Sequence, residues 1–141
     1  MINLSWNSLS YIEAKTFNNL INLELLDLSG NHFKTFETGL FKGLSKLTCL
    51  WFQNNRLVQL EADVFYGLHN LSHIHMSSNK LTFLDASTFR GLSNLKEIVM
   101  SNNKWNCDKL RLHLEKSVEF ISFKQFWNEN NIDDIILCEF A

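Results

Sequence analysis

The stretch LELLDLSGNHF, residues 23–33, decides how this chain is read. Leu26-Asp27-Leu28 alternates apolar and polar residues, the period of a short strand with one face buried. Asn31 follows, two residues before Phe33. The same phrase returns at a fixed interval: Asn7, Asn31, Asn55, Asn79 and Asn103 stand 24 residues apart. Each precedes by two positions an apolar residue, namely Leu9, Phe33, Leu57, Leu81 and Trp105. A strict period over most of a chain implies stacked structural units, each touching only its neighbours.

The rest of each unit stays in step. Phe17, Phe41, Phe65 and Phe89 form one column, and Leu20, Leu44, Leu68 and Leu92 another. Equivalent strands one unit apart can pair in parallel, about 4.8 Å from each other. The asparagine amide can then satisfy backbone groups where the chain turns out of its strand. The phenylalanines fill the opposite, convex side, and Gly43, Gly67 and Gly91 permit a tight return. The expected fold is a curved, right-handed α/β solenoid with a parallel sheet on its concave face.

Composition agrees with this and narrows the classes. In 141 residues, 45% hydrophobic content with 12 Phe and 4 Trp suffices for a continuous core. A formal net charge of −2 gives no overall case for nucleic acid or an anionic membrane. No apolar run reaches the ~18 residues of a membrane span. The N-terminus lacks the basic start and apolar stretch of a secretory signal. It already fits the repeat, so the chain is expected to open mid-unit, as a fragment or with its N-terminal end covered by something else.

Of the three cysteines, Cys49 lies inside a repeat, whereas Cys107 and Cys138 flank a non-repetitive tail. The expected pair is Cys107–Cys138, worth roughly 3–4 kcal/mol in the chain-entropy account.

The pattern L-x-x-L-x-L-x-x-N-x-L-x-x-L-x-x-x-x-F-x-x-L-x-x resembles the leucine-rich repeat in its 24-residue typical form. The resemblance implies a horseshoe of about four to five units over residues 1–106, the first of them partial, and a C-terminal cap over 107–141. The run Trp105-Asn106-Cys107-Asp108-Lys109-Leu110 is similar to the flanking cap of extracellular members, usually N-P-W-x-C-D-C-x-L. Lys104 stands for the proline and Lys109 for the second cysteine, so one bridge is implied rather than two. That form, ending in an N-I-x-x-I-x-C match at Asn131 to Cys138, resembles caps of insect secreted repeat proteins. Between the cysteines, residues 108–117 read as a short helix capped by Asp108, and 118–126 as extended and aromatic-rich.

On such a strand the residues flanking the buried leucines face the concave side. The central column is Asn3, Asp27, Trp51, His75 and Val99. Beside it run Met1, Leu25, Cys49, His73 and Glu97, and on the other side Ser5, Ser29, Gln53, Ser77 and Ser101. Asp27, Trp51, Gln53, His73, His75 and Glu97 are therefore the expected partner-binding residues, because exposed aromatics dominate binding hot spots. His73, His75 and Cys49 are too few, without a second shell, for a zinc site; no metal and no cofactor is expected. The histidine pair suggests pH-dependent binding. His32, Arg56, Lys80 and Lys104 form a mildly basic column and Glu13, Glu37, Glu61 and Asp85 an acidic one, both readable as solvated edges or as orienting a charged partner. Asn70-Leu71-Ser72 and Asn3-Leu4-Ser5 match the glycan acceptor pattern, with Asn70 expected first. No catalytic motif is present, and no enzyme is expected.

The reading is a module binding a protein ligand or co-receptor through its concave face. The resemblance implies an extracellular setting, as a receptor ectodomain or a secreted protein of immune or developmental type. The alternatives are an assembly module that dimerises through its N-terminal edge or cap, and an intracellular scaffold.

Overall fold

The computed structural model describes residues 1–85 and 87–106. Five short strands form one parallel sheet in chain order: β1 (Ile2–Asn3), β2 (Leu25–Asp27), β3 (Cys49–Trp51), β4 (His73–His75) and β5 (Glu97–Val99). Their register is the 24-residue period itself, with Leu26 opposite Leu50, Leu50 opposite Ile74, and Ile74 opposite Ile98. These four side chains point inward and are 1% exposed or less. Leu28, Phe52, Met76 and Met100 bury a second layer behind them. One continuous core thus runs down the solenoid, with no unit owning it.

Each strand ends the same way. Trp6, Gly30, Asn54, Ser78 and Asn102 all adopt left-handed backbone, with φ between 53° and 63°. Only one of the five is glycine, although a side chain there costs conformational energy. At Gly30 a Cβ would collide with the indole of Trp6, which lies over it. The bare position is therefore required twice, by φ and by the ring.

The residue after this bend is the ladder asparagine, and its amide is fully used. In Asn55, Nδ2 donates to Phe52 O (3.0 Å) in its own unit and to Leu28 O (3.0 Å) in the preceding one. Its Oδ1 accepts from Phe33 N, at 3.1 Å, also in the preceding unit. Asn31, Asn79 and Asn103 repeat these contacts, with Leu9 N, Leu57 N and Leu81 N as donors. Asn31, Asn55 and Asn79 are buried, so these bonds replace water that cannot reach the backbone. Asn7, exposed in the first unit, donates only to Leu4 O and Ser5 O.

The convex side is built from tight turns. Among the described residues it contains no helix, only turns over 14–19, 38–43, 62–67 and 87–91. Successive bonds reach back three residues, as in Thr16 N to Glu13 O, Asn18 N to Lys15 O and Leu20 N to Phe17 O. These tighter turns have no room to become helices, because Gly43, Gly67 and Gly91 swing the chain back at φ of 79–89°. The acidic column acquires a local role here. Glu13, Glu37, Glu61 and Asp85 supply the carbonyl that opens each turn, and the Asp85 carboxylate also holds Ser87 N at 2.8 Å. Inside the turns, Phe41, Phe65 and Phe89 stack with ring centroids 6.4 and 6.2 Å apart.

The cap expected over 107–141, with its helix, its extended segment and the Cys107–Cys138 bridge, lies outside the described residues. At its threshold, Trp105 takes the position of Leu57 and Leu81, and its Nε1 donates to Met100 O at 3.1 Å.

Candidate functional site

The pleat alternates side chains across the sheet, so what flanks each inward leucine or isoleucine must face outward. Trp51 pairs with His75, which pairs with Val99; Cys49 pairs with His73, which pairs with Glu97. These side chains line a hollow of about 310 Å³ on the concave face, floored by Ile74. Of the six residues expected to bind a partner, Trp51, His73, His75 and Glu97 converge on this hollow. Trp51 is half-buried rather than fully exposed, with the neighbouring rungs shielding its flanks.

The two others are placed differently. Asp27 is only 7% exposed, and one carboxylate oxygen accepts from both Ser29 N (2.9 Å) and Ser29 Oγ (2.6 Å). Its short side chain folds back onto the strand end, so it shapes the edge rather than presenting a charge. Gln53 is partly buried, and its Oε1 is sealed from solvent without a hydrogen-bond donor. Asn3 is exposed on β1 and uses its Oδ1 to hold Ser5 N and Oγ. Asn70 is exposed in the return loop, where its Nδ2 donates to Ser45 O at 2.8 Å.

The histidines hold distinct roles. Ser72 Oγ donates to Thr48 O at 3.0 Å, so toward His73 Nδ1, 2.8 Å away, it is an acceptor. That leaves His73 Nε2 facing Glu97 Oε2 at 3.8 Å, an ion pair when the ring is protonated. Ser72, His73 and Glu97 have the residue types of a hydrolytic triad, but the serine proton is committed to a carbonyl. His75 Nε2 meets Ser77 Oγ at 2.7 Å. Among the described residues, no group of three or more His, Cys, Asp or Glu is placed to hold a metal ion.

Burial lowers the His75 pKa below the ordinary imidazole value, while Glu97 and Asp27 pull more weakly the other way. The folded state therefore binds this proton less tightly than the unfolded chain does. His75 imposes no penalty above about pH 6.5, the ordinary value; stability is lost as pH falls through it toward the folded pKa. The melting temperature is expected to drop between about pH 7.5 and pH 5, and less so in His75→Gln. An unchanged drop in the variant would assign the effect to other groups.

Two features escaped the sequence reading. The spacing sets Trp6, Gly30, Asn54, Ser78 and Asn102 in one column, but their left-handed backbone is not legible, because only one of the five is glycine. The second is a groove on the flank, assembled from residues of three units, that no single stretch announces.

These features define a parallel-sheet solenoid of 24-residue units. The chain belongs to the leucine-rich-repeat family, whose profile matches residues 1–57 and 50–104. Among solved structures it is similar to the leucine-rich repeat domain of APL1B, with a TM-score of 0.72 at 23% identity over 74% of this chain and 32% of that one. It is also similar to TLR13 in the crystal structure of the TLR13-ssRNA13 complex, with a TM-score of 0.70 at 34% identity. That match covers 73% of this chain and 14% of TLR13, so the chain spans a small part of either relative. No curated protein matches it in sequence.

Proposed function

We propose that the chain recognises a protein ligand or co-receptor through its concave face, as part of an extracellular receptor or secreted protein. The observation that carries this reading is the convergence of Trp51, His73, His75 and Glu97 on one hollow. A tryptophan held on a rigid sheet is the kind of residue that anchors an interface centre, where a few side chains carry most of the energy. The sheet cannot rearrange cheaply, because every strand is held by both neighbours or by the ladder asparagines. Little ordering entropy is then lost on binding.

The extracellular part of the proposal draws support from the resemblance of the tail to one-bridge caps, and from the sequons at Asn70 and Asn3. No helix among the described residues is long and apolar enough to cross a membrane.

The test is capture by cross-linking. A photoreactive residue at Gln53, beside the hollow, is expected to cross-link a discrete protein from extracellular fluid. Trp51→Ala is expected to reduce that capture at least about tenfold. Tyr66→Ala, at an exposed ring on the opposite side, is expected to leave it unchanged. Equal capture by the Trp51 and Tyr66 variants would reject the concave face as the binding surface.

A further inference from the structure

A second surface lies on the flank of the solenoid, outside the concave face. His32, Arg56, Lys80 and Lys104 each follow a ladder asparagine. Their backbone nitrogens donate to Leu9 O, Phe33 O, Leu57 O and Leu81 O at 2.8–2.9 Å. The four residues thus belong to a hydrogen-bonded ladder of their own, one rung per unit, as regular as the sheet. Neighbouring rungs of such a ladder lie about 4.8 Å apart. Arg56, Lys80 and Lys104 are exposed, and none of the four side chains pairs with a carboxylate among the described residues. A rigid backbone therefore holds the cations Arg56, Lys80 and Lys104 in a row, with His32 at its end and no paired carboxylate among the described residues.

The row opens at one end into a groove of about 620 Å³, lined by His32, Lys34 and Arg56 among others. Its floor is apolar, from Ile12, Phe36 and Leu40. Its one carboxylate, Glu37, is engaged internally: it accepts from Tyr11 Oη at 2.8 Å and from Ala14 N at 2.9 Å. The groove combines a surplus of positive charge at the rim with room for an aliphatic or aromatic side chain on the floor.

We infer that this flank docks an acidic, extended peptide segment of a protein partner, with its carboxylates on the cationic row and one apolar side chain in the groove. Charge complementarity selects the sign of the occupant. The floor selects a peptide over a nucleic acid. Single-stranded nucleic acids bind on several exposed ring faces on which successive bases stack; here Phe33 and Phe36 are 1% and 4% exposed, and Tyr11, at 62%, offers a single ring. The long, flexible arms of Arg56 and Lys80 accommodate the mismatch between rung spacing and the roughly 6.8 Å between same-face residues of an extended strand. The inference is independent of the concave site.

The experiment is fluorescence anisotropy with the whole chain at low salt and two labelled probes: a 12-residue peptide alternating Asp and Gly around one central Leu, and a single-stranded RNA of 12 nucleotides. The peptide is expected to bind more tightly than the RNA. Arg56→Glu with Lys80→Glu is expected to weaken it about tenfold or more, and replacing the probe's Leu by Gly to weaken it severalfold. Trp51→Ala is expected to leave it unchanged, which separates this surface from the concave one. Arg56→Ala with Lys80→Ala repeats the test should the charge reversal disturb folding, as monitored by melting temperature. Absence of peptide binding, insensitivity to both double variants, or tighter binding of the RNA would each overturn the proposal.

Discussion

Asn55→Ala is expected to destabilise the fold by about 3–5 kcal/mol, although the substitution removes only a few heavy atoms. The reason lies in what the amide does. It supplies donors to Leu28 O and Phe52 O and an acceptor to Phe33 N, all in the buried region. Alanine leaves Phe33 N without a partner or a route to water, at roughly 1–3 kcal/mol, and takes one of two donors from Leu28 O and Phe52 O, which keep Asn31 Nδ2 and Asn79 Nδ2, at roughly 0.5–1.5 kcal/mol for each lost bond. Two of the lost bonds run to the preceding unit, so the damage falls on the interface that holds the stack. Asn7→Ala is the internal control. Its side chain is exposed and bonds only within its own unit, so its cost is expected to stay below about 1 kcal/mol. Urea denaturation of both variants checks the pair. Equal losses would mean that the ladder stabilises by helix-like local propensity rather than by joining units.

Phe65→Ala is the second large effect, expected at about 3–5 kcal/mol. The ring is fully buried and lies 6.2–6.4 Å, centroid to centroid, from Phe41, Phe52 and Phe89. Truncation removes the shared partner of three rings, and stacked turns held from both sides cannot collapse into the gap. Phe65→Leu, which restores most of the volume, is expected to lose less than about 1.5 kcal/mol. Phe65 sits in the return between β3 and β4, behind the hollow lined by Trp51, His73 and His75. The alanine variant is therefore also expected to loosen the concave site, seen as faster amide exchange in β3 and β4. A loss under 1 kcal/mol would show that the convex side is loosely packed and that the sheet carries the stability by itself.

Much of this architecture was legible because one period sets everything. Once Asn55 and Asn79 are equated, Trp51 must lie beside His75 and Cys49 beside His73, and the observed register agrees. What a period cannot convey is depth. Asp27 and Trp51 occupy the same column, yet the aspartate is withdrawn because a two-carbon side chain can reach Ser29 and an indole cannot. Nor does a period distinguish a helix from a tight turn when the returning segment has only one phenylalanine and one leucine to bury. The acidic column illustrates the same limit: its charges read as an edge, while its carbonyls open the turns.

The asparagine ladder has a direction. Every described asparagine beyond the first reaches backward, taking one N–H and one carbonyl from the unit before it. The contact between units is thus heterologous, like that between subunits of an open filament rather than of a closed ring. Such a contact is indifferent to how many copies precede or follow. Duplicating 24 residues anywhere between Leu23 and Leu92 would hand each asparagine an equivalent partner. Length is consequently a free variable of this architecture. Lineages can extend or shorten the reading surface in whole rungs while the chemistry of every joint stays the same.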